Sequence, residues 1–398
     1  MRYRQMAIVA AFLVSACSME HGGEEAPLPA PGSTPIAAVD SDAVYVVNGE
    51  DSSISVVDPT SGKPLGTIAL LNVKFPHHVY LSPDRARLAV AVPGHDLSGG
   101  HSGTPVAAEM PAGHGAMASA PGGGGAHPMA AEVRPAAMDM GEHGGEAATK
   151  SESSGGAVLL LDARTGATVA SRRLPAPNHN AIFSPDGKEI WTAQLVDAGT
   201  VLVLDAQTLE TTKTIAVGRV PAEVTFSPDG KHVFVANGTS NDVSVIDAAT
   251  KTVVKTLPMD REPVGAWPGA DGMMYVDCEV GKTIKAIDPK SLSVVRTYAL
   301  GFTPAYAAVP PSRTEELWLT DTDAGKIVFN KTSADAKTSE IATAPGAHAL
   351  AFGPDGKTAY VTNQLGASMS IIDTTTKTVK ATIPVGKKPN GIVFRARQ

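Results

Sequence analysis

The chain of 398 residues has two cysteines, Cys17 and Cys278, so at most one intramolecular disulfide is open to it. Aromatic residues make up 5% and charged residues 18%. The longest apolar run near the start, Ala7 to Val14, is too short to span a bilayer. A formal charge of −7 gives no basic surplus with which to hold nucleic acid. No phosphate-cradling loop or dinucleotide fingerprint occurs, and no nucleophile–base pair or paired carboxylates stand out by spacing. Binding rather than turnover is therefore expected. What the chain does have is 39 Gly and 30 Pro, with Val, Thr and Ile in short bounded runs. That composition disfavours helices and points to an all-β protein.

Arg2 and Arg4 ahead of the apolar run form the pattern of an export signal over residues 1–16. Val14-Ser15-Ala16-Cys17 resembles the bacterial lipobox, and the resemblance implies acylation of Cys17 after cleavage. Ser18 rather than Asp implies sorting to the outer membrane on the periplasmic side. Residues 17–38, polar and rich in Pro and Gly, then read as a tether, and the lipid is the expected membrane contact. With Cys17 acylated, no disulfide remains to be made. Loss of the two signal arginines takes the formal charge from −7 to −9.

Apolar triplets ending in Asp recur as SVVD (Asp58), LLLD (Asp162), LVLD (Asp205), SVID (Asp247), KAID (Asp288) and SIID (Asp373), with IVFN (Asn330) as a degenerate copy. From Asp162 onward the intervals are 43, 42, 41, 42 and 43 residues. A second motif, as in AIFSPDGKEIWTAQ and VTFSPDGKHVFVAN, places Pro-Asp-Gly between β-rich runs. There Pro fixes φ and Gly accepts positive φ, so the segment joins two antiparallel strands. Each repeat thus reads as four strands, A to D. Seven such repeats predict a seven-bladed β-propeller over residues 39–398. Residues 43–70 supply strands B, C and D without an A, and PNGIVF (389–394) supplies a lone A strand. Together they complete one blade and close the ring, which removes the open edges. A monomer is expected.

AYVTN, Ala359 to Asn363, resembles the hallmark of YVTN propeller repeats, and VFVAN and VYVVN are close variants. The resemblance covers residues 40–397 apart from one insertion, and haem-d1 and lactonase-type propellers share the architecture it implies. A shared fold fixes shape far better than chemistry.

Aligning the repeats on the residue five before the Ser-Pro-Asp serine puts His77, His179, Ala222, Val264, Ala305, His348 and Asn390 in one slot at the start of strand A. Strand A lies nearest the axis, so His77, His179 and His348 are expected to converge at the channel mouth and to share a metal ion, with His78 as a substitute. The alternative is that each imidazole bonds a neighbouring loop carbonyl. Lys74, Arg219, Arg261, Lys387 and Lys388 precede strand A on the same face. They form a candidate basic rim for an anionic ligand. The haem-d1 resemblance implies that such a ligand could be haem d1, with His77 or His179 as an axial ligand. Cys278, at the end of a B strand, reads as a small buried apolar residue rather than a ligand.

Asp58 and Asp162 are 104 residues apart, one repeat plus about 60 extra. The excess, residues 94–155, falls between strands B and C, which puts both of its roots on the histidine face. Its composition reads as a disordered, low-complexity loop. It carries His95, His101, His114, His127 and His143 with Met110, Met117, Met129, Met138 and Met140, and no cysteine. Imidazole with thioether suits copper, Met favouring Cu(I). A linker in which these residues accumulated without consequence is the alternative. The expected function is therefore an exported, lipid-anchored propeller that binds copper at the mouth, through the loop, or both, with a metal-delivery or other protein partner. Binding of an anionic ligand at the rim, or a protein scaffold without metal, are the other readings.

Overall fold

The computed structural model describes residues 28–97 and 155–397. Seven antiparallel sheets of the predicted A–B–C–D order are arranged as blades of a propeller. Among the described residues the only helical element is the single 3₁₀ turn Gln364–Gly366.

The B and C strands are apolar on both faces because each blade is sandwiched between two others. Ala359–Asn363 is wholly buried, as are the central residues of Ser368–Asp373 beside it. The D strands, on the outside, are mostly exposed, as in Thr211–Ala216. Core residues accordingly pack between blades. Tyr45, Ile54 and Ile68 of one blade meet Leu88, Leu159 and Leu161 of the next. Trp191 packs edge-on against Phe226 across another such joint, with ring centroids 5.5 Å apart.

The clasp forms as the repeat count requires. Pro389–Arg395 pairs antiparallel with Ala43–Asn48, from Ala43 opposite Arg395 to Asn48 opposite Pro389, and so supplies the missing inner strand. Buried Arg395 secures it by donating to the Tyr45 hydroxyl at 3.2 Å and to the carbonyl of Val39. One boundary differs from expectation. The ring does not begin at residue 39, because Gly32–Thr34, read above as tether, adds a fifth strand to this blade against Pro64–Leu71. Ser33 donates to the carbonyl of Gly166 at 2.7 Å, and Ile36 packs over Gly66, where a β-carbon would come within 2.8 Å of it. The segment therefore straps two blades together.

The turns on the face away from the histidines repeat one solution. Asp205 Oδ1 accepts the backbone N–H groups of Gln207 and Thr208, both at 2.9 Å. Asp162 does the same for Arg164 and Thr165, at 3.0 and 2.8 Å. Four residues after each Asp the chain enters the left-handed region. Gly166 is required there, since a β-carbon would meet Ile68 Cδ1 at 2.4 Å.

The insertion leaves from strand Arg87–Val92 and returns at strand Ala157–Asp162, the B and C strands of one blade, as predicted. Of its proposed ligands only His95 falls within the described residues, where it is exposed. His101, His114, His127, His143, Met110, Met117, Met129, Met138 and Met140 lie outside them, as do residues 1–16 and Cys17.

Candidate metal centre at the mouth of the ring

In four blades two residues just after the start of strand A drop out of its pairing with strand B. The register breaks between Pro221 and Val224, between Pro263 and Ala266, between Ala347 and Leu350, and between Pro389 and Ile392. Two residues at each break leave the ladder, and an unpaired strand residue can aim its side chain where a regular pleat would not. The slot found in the sequence is the first of these two positions, and the residue after it is the second. In sequence His77 and His78 match the two positions in one blade, where both are tied through the backbone to Ala91 of strand B at 2.9 and 3.0 Å, and His179 and Asn180 match those of the next. Ala222 and Glu223 occupy those of the blade after that.

Three imidazoles meet there. The ring centroids of His77 and His179 are 4.4 Å apart, those of His77 and His78 4.5 Å, and those of His78 and His179 4.7 Å. One ring nitrogen from each lies within 4.8 Å of the other two, and all three residues are buried. This corrects the expected trio. His348 shares the mouth, but its ring centre is 6.2 Å from that of His77 and it is not part of the close set. The cause is angular: His77 and His179 belong to adjacent blades, whereas the clasp blade stands between those of His77 and His348. His78, expected as a substitute, takes the third place.

The surroundings orient the rings and keep one of them neutral. Burial, reinforced by His179 and then His348, drives the pKa of His78 well below the ordinary histidine value, so its ring stays uncharged. His78 Nε2 is nevertheless buried without a hydrogen-bond partner. Leaving such a group unsatisfied costs about 1–3 kcal/mol. His179 donates Nδ1–H to Glu223 Oε2 at 2.8 Å, which leaves the lone pair on Nε2. Glu223 is itself fully buried and accepts from Tyr80 Oη at 2.5 Å and Asn180 Nδ2 at 2.6 Å through Oε1. A carboxylate behind an imidazole is the usual support of a metal-ligating histidine. Sequence reading missed Glu223, although a signal existed: in PAEVTF it is the one charge in an otherwise uncharged inner strand.

The imidazoles open on a cavity of about 390 Å³, lined also by Trp267, Arg261, Glu279 and small apolar residues of the following blades. Both roots of the insertion stand at this mouth. Leu97 lines the cavity and Asp96 pairs with Lys388, while Gly156 donates its N–H to Ala176 O at 3.0 Å, close to His179 in the chain.

The expected basic rim is not assembled as such. Arg219 pairs with Asp197 at 3.0 Å, Lys387 with Glu50 at 3.4 Å, and Lys388 with Asp96. Of the remaining two, Arg261 lines the cavity and Lys74 is exposed. Carboxylates cancel much of the charge that an anion would need. Cys278 is buried, with its thiol pushed up to about 12 by burial, and so behaves as the apolar residue expected. Next to it, burial raises the Asp277 carboxyl to about 7, with nearby Glu279 adding to the shift.

No family model and no curated protein sequence matches the chain. Its similarity is to solved propeller structures. Dihydro-heme d1 dehydrogenase NirN in complex with DHE is 13% identical with a TM-score of 0.57, covering 90% of this chain and 76% of that one. Kuenenia stuttgartiensis hydrazine synthase is 16% identical (TM-score 0.61; 89% and 99% covered). Pseudomonas aeruginosa periplasmic gluconolactonase PpgL is 17% identical (TM-score 0.63; 90% and 99% covered). At these identities the likeness shows a propeller fold and nothing finer.

Proposed function

We propose that His77, His78 and His179 bind a transition-metal ion at the mouth of the ring, and that this ion is copper. The observation that carries the reading is the convergence of three buried imidazoles that offer ring nitrogens within 4.8 Å of one another, and one of them, His78, has a buried Nε2 without a hydrogen-bond partner. A metal–imidazole bond is about 2.0–2.1 Å long, so two nitrogens on one ion stand no more than about 4.2 Å apart. A small rotation of the rings closes that gap. Imidazole accepts zinc, copper and nickel alike, and the choice of copper rests on the five methionines at 110, 117, 129, 138 and 140. The same proposal places the protein outside the cytoplasm. An export signal and a lipid on Cys17 would hold it on the periplasmic face of the outer membrane, as a monomer that exchanges copper with a delivery partner and has no nucleic-acid role.

Copper titration of the purified ring followed by isothermal calorimetry tests this. The variant with His77, His78 and His179 all replaced by Ala loses tight binding. Unchanged affinity in that variant would move the site away from the mouth. Haem d1 or another anion at the rim is the second reading, supported by the fold shared with NirN and opposed by the ion pairs on Arg219, Lys387 and Lys388.

A further inference from the structure

The slot that carries histidine in two adjacent blades carries small residues in the next three: Ala222, Val264 and Ala305. All three line the cavity with the histidines, so at the depth of the slot one half of the mouth is small and apolar, although Arg261, Glu262 and Glu279 share the lining. Trp267 stands at the boundary. Its indole N–H is donated to Asp277 Oδ1 at 2.7 Å, and its ring stacks on Tyr306 with centroids 3.9 Å apart and planes inclined by 29°. Its centroid is 6.1 Å from that of His78. An aromatic side chain fixed at its edge and stacked on a neighbour is a preformed wall. Arg261, Glu262 and Glu279 bring both signs of charge to the lining and impose no single charge on an occupant.

Among the described residues, no fourth His, Cys, Asp or Glu joins the close set of ring nitrogens. Three protein ligands leave a four-coordinate ion one position short, the arrangement of sites that take an exogenous ligand rather than of closed structural sites. The adjoining space of about 390 Å³ falls within the range of ligand-sized clefts, about 300–1,000 Å³.

Building on the metal reading, we propose that the ion bound by His77, His78 and His179 keeps a coordination position open to this cavity, and that the position takes a small organic molecule with a nitrogen or anionic donor at its head and a flat apolar body. The head binds the ion. The body lies against Trp267 in the space left by Ala222, Val264 and Ala305.

The test uses the full chain loaded with copper(II) and titrated separately with azide, imidazole and 4-phenylimidazole, followed by visible absorption and electron paramagnetic resonance. All three shift the copper spectrum. 4-Phenylimidazole binds about tenfold or more tighter than imidazole, because its phenyl group leaves water for the apolar half of the mouth. Ala305→Phe fills that half, so it keeps copper and the azide response but loses the preference between the two imidazoles. Val264→Phe replaces it should Ala305→Phe not fold. A copper spectrum unmoved by any of the three ligands, or equal affinity for the two imidazoles, overturns the open, apolar-walled position while the metal reading stands. Failure to take up copper at all removes both.

Discussion

The two faces of the ring differ in how far the polar groups at their strand ends reach. On the face of the C–D turns, Asp58, Asp162, Asp205, Asp247, Asp288 and Asp373 each accept backbone N–H groups two or three residues downstream. The bonds are local and repeat blade after blade. On the histidine face the polar groups reach far along the chain, as Glu223 does to Tyr80 and His179. Local bonds repeat there too, since Asn48, Asn237 and Asn363 each donate Nδ2 to a serine seven residues on. The Glu223 set occurs once, beside His78 with its buried, unpartnered Nε2. Repetition here marks what holds each blade together, and departure from repetition marks what is specific to this protein. Ion pairs at the face with the histidines add little to that contrast, since the Arg219 and Lys387 pairs are largely exposed and worth about 0–1 kcal/mol each.

The sharpest way to break the contrast is to remove one unique group. His179→Ala lowers copper affinity by at least about 100-fold, measured by competition with a chromophoric chelator, while the circular dichroism spectrum of the ring is unchanged. Next in size is Glu223→Gln. It puts a donor where Oε2 accepts, turns the His179 tautomer over and lowers affinity by about 10- to 100-fold. A purely packing role for Glu223 would instead lower the melting temperature and leave copper binding alone.

Asp277 offers a third comparison, in the metal-free protein. Its folded pKa of about 7 lies above the unfolded value of about 3.9, so ionising it opposes folding. The favourable contribution of its protonated form is complete below about pH 4 and is lost as pH rises through 7. Three pH units correspond to about 4 kcal/mol at most. Asp277→Asn should flatten the decline in melting temperature between about pH 4 and 7, and an unchanged slope there would refute the assignment. The smallest effect belongs to the repeated face. Asp162→Ala removes one turn among several alike and costs no more than about 2 °C in melting temperature, without affecting copper.

The architecture was readable because each blade states the same instructions again: an apolar B strand, an Asp turn, a Pro-Asp-Gly turn. Closure by Pro389–Arg395 followed from counting what the first blade lacked. The N-terminal strap was not readable. Gly32–Thr34 has no alternation of apolar and polar residues, and its pairing is decided by the exposed edge of Pro64–Leu71. At the mouth, the slot identified the right depth along strand A but not the angle around the axis. An alignment of repeats overlays the blades and so discards their order in the ring, which is what separates His348 from His77. Glu223 sits one residue beyond the slot, in a position that becomes available only because strand A leaves its ladder there.

The long excursion between Arg87–Val92 and Ala157–Asp162 makes the protein naturally divisible. A backbone cut within it yields a smaller piece bearing Ala43–Asn48, His77 and His78, and a larger piece bearing Pro389–Arg395, His179 and Glu223. The two pieces share two sheets, one at the clasp and one at the site of the cut, so they can find each other again without a covalent link. Since each brings part of the imidazole trio, the colour of bound copper would report their reunion.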